Sequence, residues 1–129
     1  MSKNYRLFMI EENTSGDVNR LQERWAKLSD IIKTRFGKKP DLEGILFLIG
    51  VRELGETPGD FTKEQKVDLM HIAMCAVLAP GGFFKLDHLD QDGWPHWEQI
   101  KELPAVDIYS QEVFLKSYIV DYFADIYEI

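Results

Sequence analysis

The sequence predicts a mainly α protein, a compact four-helix domain with two buried central helices and two flanking helices. Apolar residues recur at helical spacing in four stretches, near residues 17–36, 41–54, 62–79 and 110–127. Residues 83–103 break this pattern and form an irregular, aromatic-rich segment, in which we expect one or two short strands. The length of 129 residues fits a single domain, 1–129, in which residues 1–13 form an N-terminal arm or a short strand.

The first helix begins at Asp17, which can cap free N–H groups, and stops at Gly37. Its apolar residues follow spacings of three and four and form one narrow seam: Val18, Leu21, Trp25, Leu28 and Ile32. Such a seam packs against the rest of the domain or against a second copy of the chain. The last helix, which starts after Ser110, is apolar over a wider arc than a surface helix needs, and this also favours a homodimer.

The second and third helices are predicted to form the core. The second opens at Asp41 and is apolar on most sides, although Gly44 and Gly50 lower its helix propensity by about 1 kcal/mol each. Glycine is tolerated there if a neighbouring backbone comes close. Thr62 and Gln65 form a capping box that starts the third helix, and residues 80–82, Pro-Gly-Gly, end it.

One line of polar residues crosses the apolar third helix. Glu64, Asp68, His71 and Cys75 are spaced by four, three and four residues, which stacks them on one face. The simplest interpretation is a buried histidine bonded to Asp68, with Cys75 as a small core residue. Asp68 and His71 also have the spacing of a carboxylate–histidine metal pair, whereas a Cys-His-Asp triad on one helix is poor geometry.

A second polar cluster lies in the segment after the third helix. Residues 87–98 read DHLDQDGWPHWE and lack the calcium-loop register, because His88 and Gln99 occupy the positions that need acids. A turn with Asp side chains bonded to local backbone is one interpretation. A second is a ligand or interaction surface made by Trp94, His96 and Trp97. A third is a divalent-metal site that combines both clusters, with Asp68, His71, His88, Asp90 and His96 as ligands.

Composition restricts the function classes. The net charge of −7 and the scattered basic residues argue against nucleic-acid binding. The single cysteine excludes an internal disulfide, and no apolar run approaches the ~20 residues of a membrane span. The chain also lacks the common phosphate-binding, zinc-protease and serine-hydrolase motifs.

The sequence therefore predicts a soluble cytoplasmic, non-enzymatic protein-interaction module that self-associates and needs no cofactor. The alternative is a metal- or small-ligand-binding protein with a His/carboxylate site between the 62–79 helix and the 83–98 segment.

Overall fold

The computed structural model describes residues 15–56 and 59–129. Its α-helices and strands are α1 (Ser15–Phe36), α2 (Leu42–Leu54), α3 (Lys63–Leu78), β1 (Phe84–Leu89), β2 (Pro95–Gln99) and α4 (Ile108–Ala124), and a short 3₁₀ helix, Ala79–Gly81, follows α3. The mainly α fold class is confirmed, and the described residues form four α-helices and a short two-stranded sheet. The predicted arm or strand at residues 1–13 lies outside the described residues. None of the described helices has the length and apolar character that a bilayer crossing requires.

The chain divides into two compact units, which are described separately. Among the described residues, one unit covers 15–39 and 103–129 and contains α1 and α4. The other covers 40–56 and 59–102 and contains α2, α3 and the hairpin formed by β1 and β2. The assignment of the whole chain to a single domain stays a prediction.

In the first unit, α1 and α4 pack side by side. Three residues of the α1 seam are buried, since Leu21, Leu28 and Ile32 are 8%, 0% and 2% exposed, whereas Val18 and Trp25 are half-buried. At the rim, Arg24 Nη1 lies 3.0 Å from Asp121 Oδ1, and the Lys116 ammonium lies 4.7 Å from the centre of the Trp25 ring. A dimer through this seam would have to displace residues that are already buried within the chain, and self-association stays a prediction.

Two helix starts differ from the sequence analysis. The first helix begins at Ser15, so Asp17 lies inside its first turn and does not precede it. The last helix begins at Ile108, before the predicted Ser110, because Asp107 is the cap: its Oδ1 accepts a hydrogen bond of 2.8 Å from the Ser110 N–H. Gly37, with φ of +81°, ends α1 as predicted.

Ser29 on α1 is an unsatisfied polar group in this unit. It is 1% exposed, and its hydroxyl makes no hydrogen bond with the described residues. Leaving a buried hydroxyl unpaired costs about 1–3 kcal/mol. We expect Ser29→Ala to raise the free energy of unfolding by about 1 kcal/mol, measured by urea denaturation. Ser117→Ala is the control, because Ser117 is also buried but donates to the Phe114 carbonyl at 2.7 Å; an equal gain in both variants would contradict this explanation.

In the second unit, α2 packs closely on α3, and α3 contacts both strands of the hairpin. Asp41 caps α2, and the capping box predicted for Thr62 and Gln65 is present at the start of α3. The C-terminal part of α3 is buried as predicted, at Leu69, Ile72, Ala73, Cys75, Val77 and Leu78.

The segment after α3 is more regular than the sequence indicated. The sequence predicts one or two short strands here, and two are present: Pro95–Gln99 is a strand antiparallel to β1. The register pairs Leu86 with Trp97 and His88 with His96, which leaves Asp87 as an extra residue in β1. This bulge has a direct consequence: without it Asp87 would face His96, and with it the two histidines are opposite each other.

Candidate functional site

An open cleft of about 480 Å³ lies within the second unit, between α3 and the hairpin. This volume is within the usual range for small-ligand sites. The helix contributes four lining residues: Gln65, Asp68, His71 and Ile72. The turn and β2 contribute six more: Asp90, Asp92, Trp94, Pro95, His96 and Trp97.

The polar line on α3 forms one wall of this cleft, and it is not a buried seam. Glu64, Asp68 and His71 are exposed, and only Cys75 is buried. The expectation of a core histidine bonded to Asp68 is therefore wrong. The sequence reasoning failed because apolar neighbours surround His71 along the chain, whereas the hairpin leaves this face of the helix open at that position.

The opposite wall is built by Asp90. Its Oδ1 accepts hydrogen bonds from the backbone N–H groups of Asp92 at 2.9 Å and Trp94 at 3.0 Å. Its Oδ2 lies 2.9 Å from Nε2 of His96. The predicted turn with Asp side chains bonded to local backbone is thus present, and Gly93 with φ of +84° completes it. These bonds fix both Trp94 and His96 at the edge of the cleft.

Electrostatics keep Asp90 ionised. The hydrogen bond with the His96 side chain, followed by the bonds from the backbone, holds the pKa of Asp90 below its usual value. Three carboxylates line the cleft, at Asp68, Asp90 and Asp92, and the described lining residues include no Lys or Arg. The cleft is therefore a site of negative potential with two tryptophans in its walls.

His88 lies next to the cleft, but it is not one of the described residues that line it. Its ring stacks on that of His96, with the two planes 1° apart and the centroids separated by 4.7 Å. Nδ1 of His88 lies 2.6 Å from Oδ2 of Asp87. The sequence could not predict this stacking, since it depends on the bulge at Asp87.

The structure does not assemble the proposed metal ligands. In the described part of the chain, no three His, Cys, Asp or Glu side chains form a group that could hold a metal ion. Of the five candidates, Asp68, His71, Asp90 and His96 share the cleft, and His88 is stacked behind it. Both oxygens of Asp90 and Nε2 of His96 already make hydrogen bonds, so binding a metal through them would break existing contacts.

Cys75 is not an activated nucleophile. Burial raises the pKa of its thiol to about 11, so it is protonated at neutral pH. The Nε2 and Nδ1 atoms of His71 are 3.9 and 4.0 Å from Sγ, which leaves at most a weak hydrogen bond. The geometry therefore argues against thiol chemistry in the cleft.

Trp97 lines the cleft, and its indole N–H is an unsatisfied hydrogen-bond donor. Its indole N–H is inaccessible to water and has no hydrogen-bond partner among the described residues. A buried donor of this kind costs about 1–3 kcal/mol, and such groups in native structures call for a structural or functional reason. All three residues predicted as a recognition surface, Trp94, His96 and Trp97, line this cleft.

Comparison with known proteins adds no functional information: the chain matches no family model, no curated protein and no solved structure.

Proposed function

We propose that this chain is a non-enzymatic binding module that takes a cationic group of its ligand into the cleft between α3 and the hairpin. The observation that supports this most directly is the composition of the walls, which combine three carboxylates with two tryptophans and contain no described Lys or Arg. Carboxylates attract a cation from solution, and indole faces bind it through their quadrupole. Neither type of group favours a phosphate.

A guanidinium group fits these walls best. It is planar, it can donate two parallel hydrogen bonds to one carboxylate, and it stacks on aromatic rings. Asp68 and Asp92 are exposed on opposite sides of the cleft, and no described hydrogen bond engages their carboxylates. They are therefore the free acceptors, whereas Asp90 is already held by the turn.

The test is isothermal titration with butylguanidinium at pH 8, with butylurea as the neutral analogue of the same shape. We expect butylguanidinium to bind and butylurea to bind at least tenfold more weakly. In the double variant Asp68→Asn, Asp92→Asn, the Kd for butylguanidinium should rise about tenfold, from two exposed charge contacts of about 0.7 kcal/mol each.

The control is Glu64→Gln, Glu98→Gln, which changes the net charge equally. Glu64 lies one turn before Asp68 and Glu98 follows Trp97 in the sequence, but neither residue is among those that line the cleft. We expect this control to bind as the wild type does. Equal binding of butylurea, or equal losses in the two double variants, would contradict the proposal.

The same cation can come from a small molecule or from an arginine of a partner protein. A capped Gly-Arg-Gly peptide distinguishes these sources. If it binds more tightly than butylguanidinium, the flanking peptide backbone contributes and the ligand is a protein segment. Weaker binding of the peptide would favour a free small cation.

A further inference from the structure

We propose that the stacked histidines make the cleft a proton-regulated site, which binds its cation near pH 8 and releases it as the pH falls towards 5.5. This inference rests on the proposed cation-binding function. It starts from three contacts: the parallel rings of His88 and His96 at 4.7 Å, the His88–Asp87 contact at 2.6 Å and the His96–Asp90 contact at 2.9 Å.

Histidine is the side chain that ordinarily changes charge between pH 5 and 8. Both rings are about half exposed, with side-chain exposures of 55% for His88 and 52% for His96, so protons reach them without unfolding. If both rings are protonated, two positive charges face each other across 4.7 Å. A further cation placed beside the protonated pair would meet the same repulsion.

A cation in the cleft adds a further positive charge on the His96 side of this pair, because His96 lines the cleft and His88 does not. Bound cation and bound protons are thus in competition. By linkage, the affinity should fall by about tenfold per pH unit for each proton that the cation must displace.

The surrounding charges set the size of the effect. From α3, Asp68 and His71 face the cleft, and from the turn Asp90 and Asp92 do. With the carboxylates ionised, the formal charge of the lining is −3 when His71 and His96 are neutral and −1 when both are protonated. On β1, Asp87 offsets a charge on His88.

Asp90 does not itself titrate in this window. The pKa of Asp90 is lowered, chiefly by its hydrogen bond with His96, so its contribution to stability is present above its unfolded pKa. That contribution is lost only as the pH falls through the still lower folded pKa. The turn should therefore remain intact between pH 8 and 5.5, and loss of binding there reports the histidines.

The experiment is titration with butylguanidinium, which does not change charge in this range, at half-unit steps from pH 8.0 to 5.5. For the wild type we expect the Kd to rise at least tenfold over this interval. In His96→Gln, the increase in log Kd over the same pH interval should be less than half of the wild-type increase. In His88→Gln the rise in Kd should also be smaller than in the wild type, because the stacked pair can then carry only one positive charge.

His71→Gln is the matched control, since it removes the other histidine of the cleft and leaves the stacked pair intact. In this variant we expect the increase in log Kd from pH 8.0 to 5.5 to be at least half of the wild-type increase. If His71→Gln abolishes the dependence and His96→Gln does not, the assignment to the stacked pair is overturned.

Failure of the two proposals can be told apart. No binding at pH 8.0 overturns the cation-binding function and, with it, the regulation. Binding with a constant Kd from pH 8.0 to 5.5 leaves that function standing and overturns the regulation.

Discussion

Gly50→Ala is expected to lower the free energy of unfolding by about 3 kcal/mol or more, at the upper end of what overpacking costs. The added Cβ would lie 2.1 Å from the backbone oxygen of Leu69 and 2.6 Å from its carbonyl carbon. Both are backbone atoms of α3, so no side chain can rotate away to relieve the clash. The two helices would have to separate, and the core between them would loosen.

Gly44→Ala is the matched control, since it places the same methyl group on the same helix. Its Cβ would approach Asp41 Oδ1 at 3.0 Å and Pro40 Cβ at 3.7 Å, which are side-chain atoms beside the cap. We expect a change of less than about 1 kcal/mol, because the helix-propensity gain offsets a small shift of the cap. Thermal and urea denaturation measure both variants. Similar losses in the two would contradict the close approach at Gly50.

This clash should also affect the candidate site. Leu69 is fully buried and directly follows Asp68, which lines the cleft. Moving the α3 backbone at Leu69 displaces the Asp68 carboxylate with it. Gly50→Ala should therefore weaken binding of butylguanidinium even at temperatures where the variant is folded, whereas Gly44→Ala should not.

The helices could be predicted from the sequence because their signals are local. The capping box at Thr62 and Gln65, the stop at Gly37 and the apolar spacing of the α1 seam each involve residues within a few positions of one another. The two glycines of α2 show the limit of such reasoning. A close backbone approach could be anticipated for that helix, but only the packing reveals that it occurs at Gly50 and not at Gly44.

The site was predicted in part, for the same physical reason. Helical spacing placed Asp68 and His71 on one face, and aromatic content identified Trp94 and Trp97. Which side of α3 remains open depends on where the hairpin packs, so His71 was wrongly expected in the core. The stacking of His88 on His96 depends on a single extra residue in β1, and one-residue register shifts have no reliable sequence signature.

Phe83→Ala is expected to cost about 3–5 kcal/mol, the usual range for truncating a buried phenylalanine. Phe83 is 1% exposed and has the largest of the fully buried side chains in the described part of the chain. It lies between the end of α3 and the start of β1, and its carbonyl accepts a hydrogen bond of 2.9 Å from the Ile100 N–H beyond β2. Removing the ring leaves a cavity where both ends of the hairpin meet the end of α3.

Lys101 adds to this effect. Its ammonium lies 3.9 Å from the centre of the Phe83 ring and donates to the Gly81 carbonyl at 2.9 Å. Without the ring, the ammonium loses a cation–π contact of about 0.5–1 kcal/mol. The hairpin is then held less firmly, and since it supplies Trp94, His96 and Trp97 to the cleft, cation binding should weaken together with stability.

Urea denaturation measures the global loss, and amide hydrogen exchange locates it. In Phe83→Ala we expect the amides of Asp90 and Ile100, which are hydrogen-bonded within the hairpin and to Phe83, to exchange faster than those of α1. Phe36→Ala is the control, because Phe36 is 55% exposed and its truncation should change stability by no more than about 0.5 kcal/mol. Equal losses in the two variants, or uniform exchange across both units, would show that Phe83 does not anchor the hairpin that forms the second wall of the cleft.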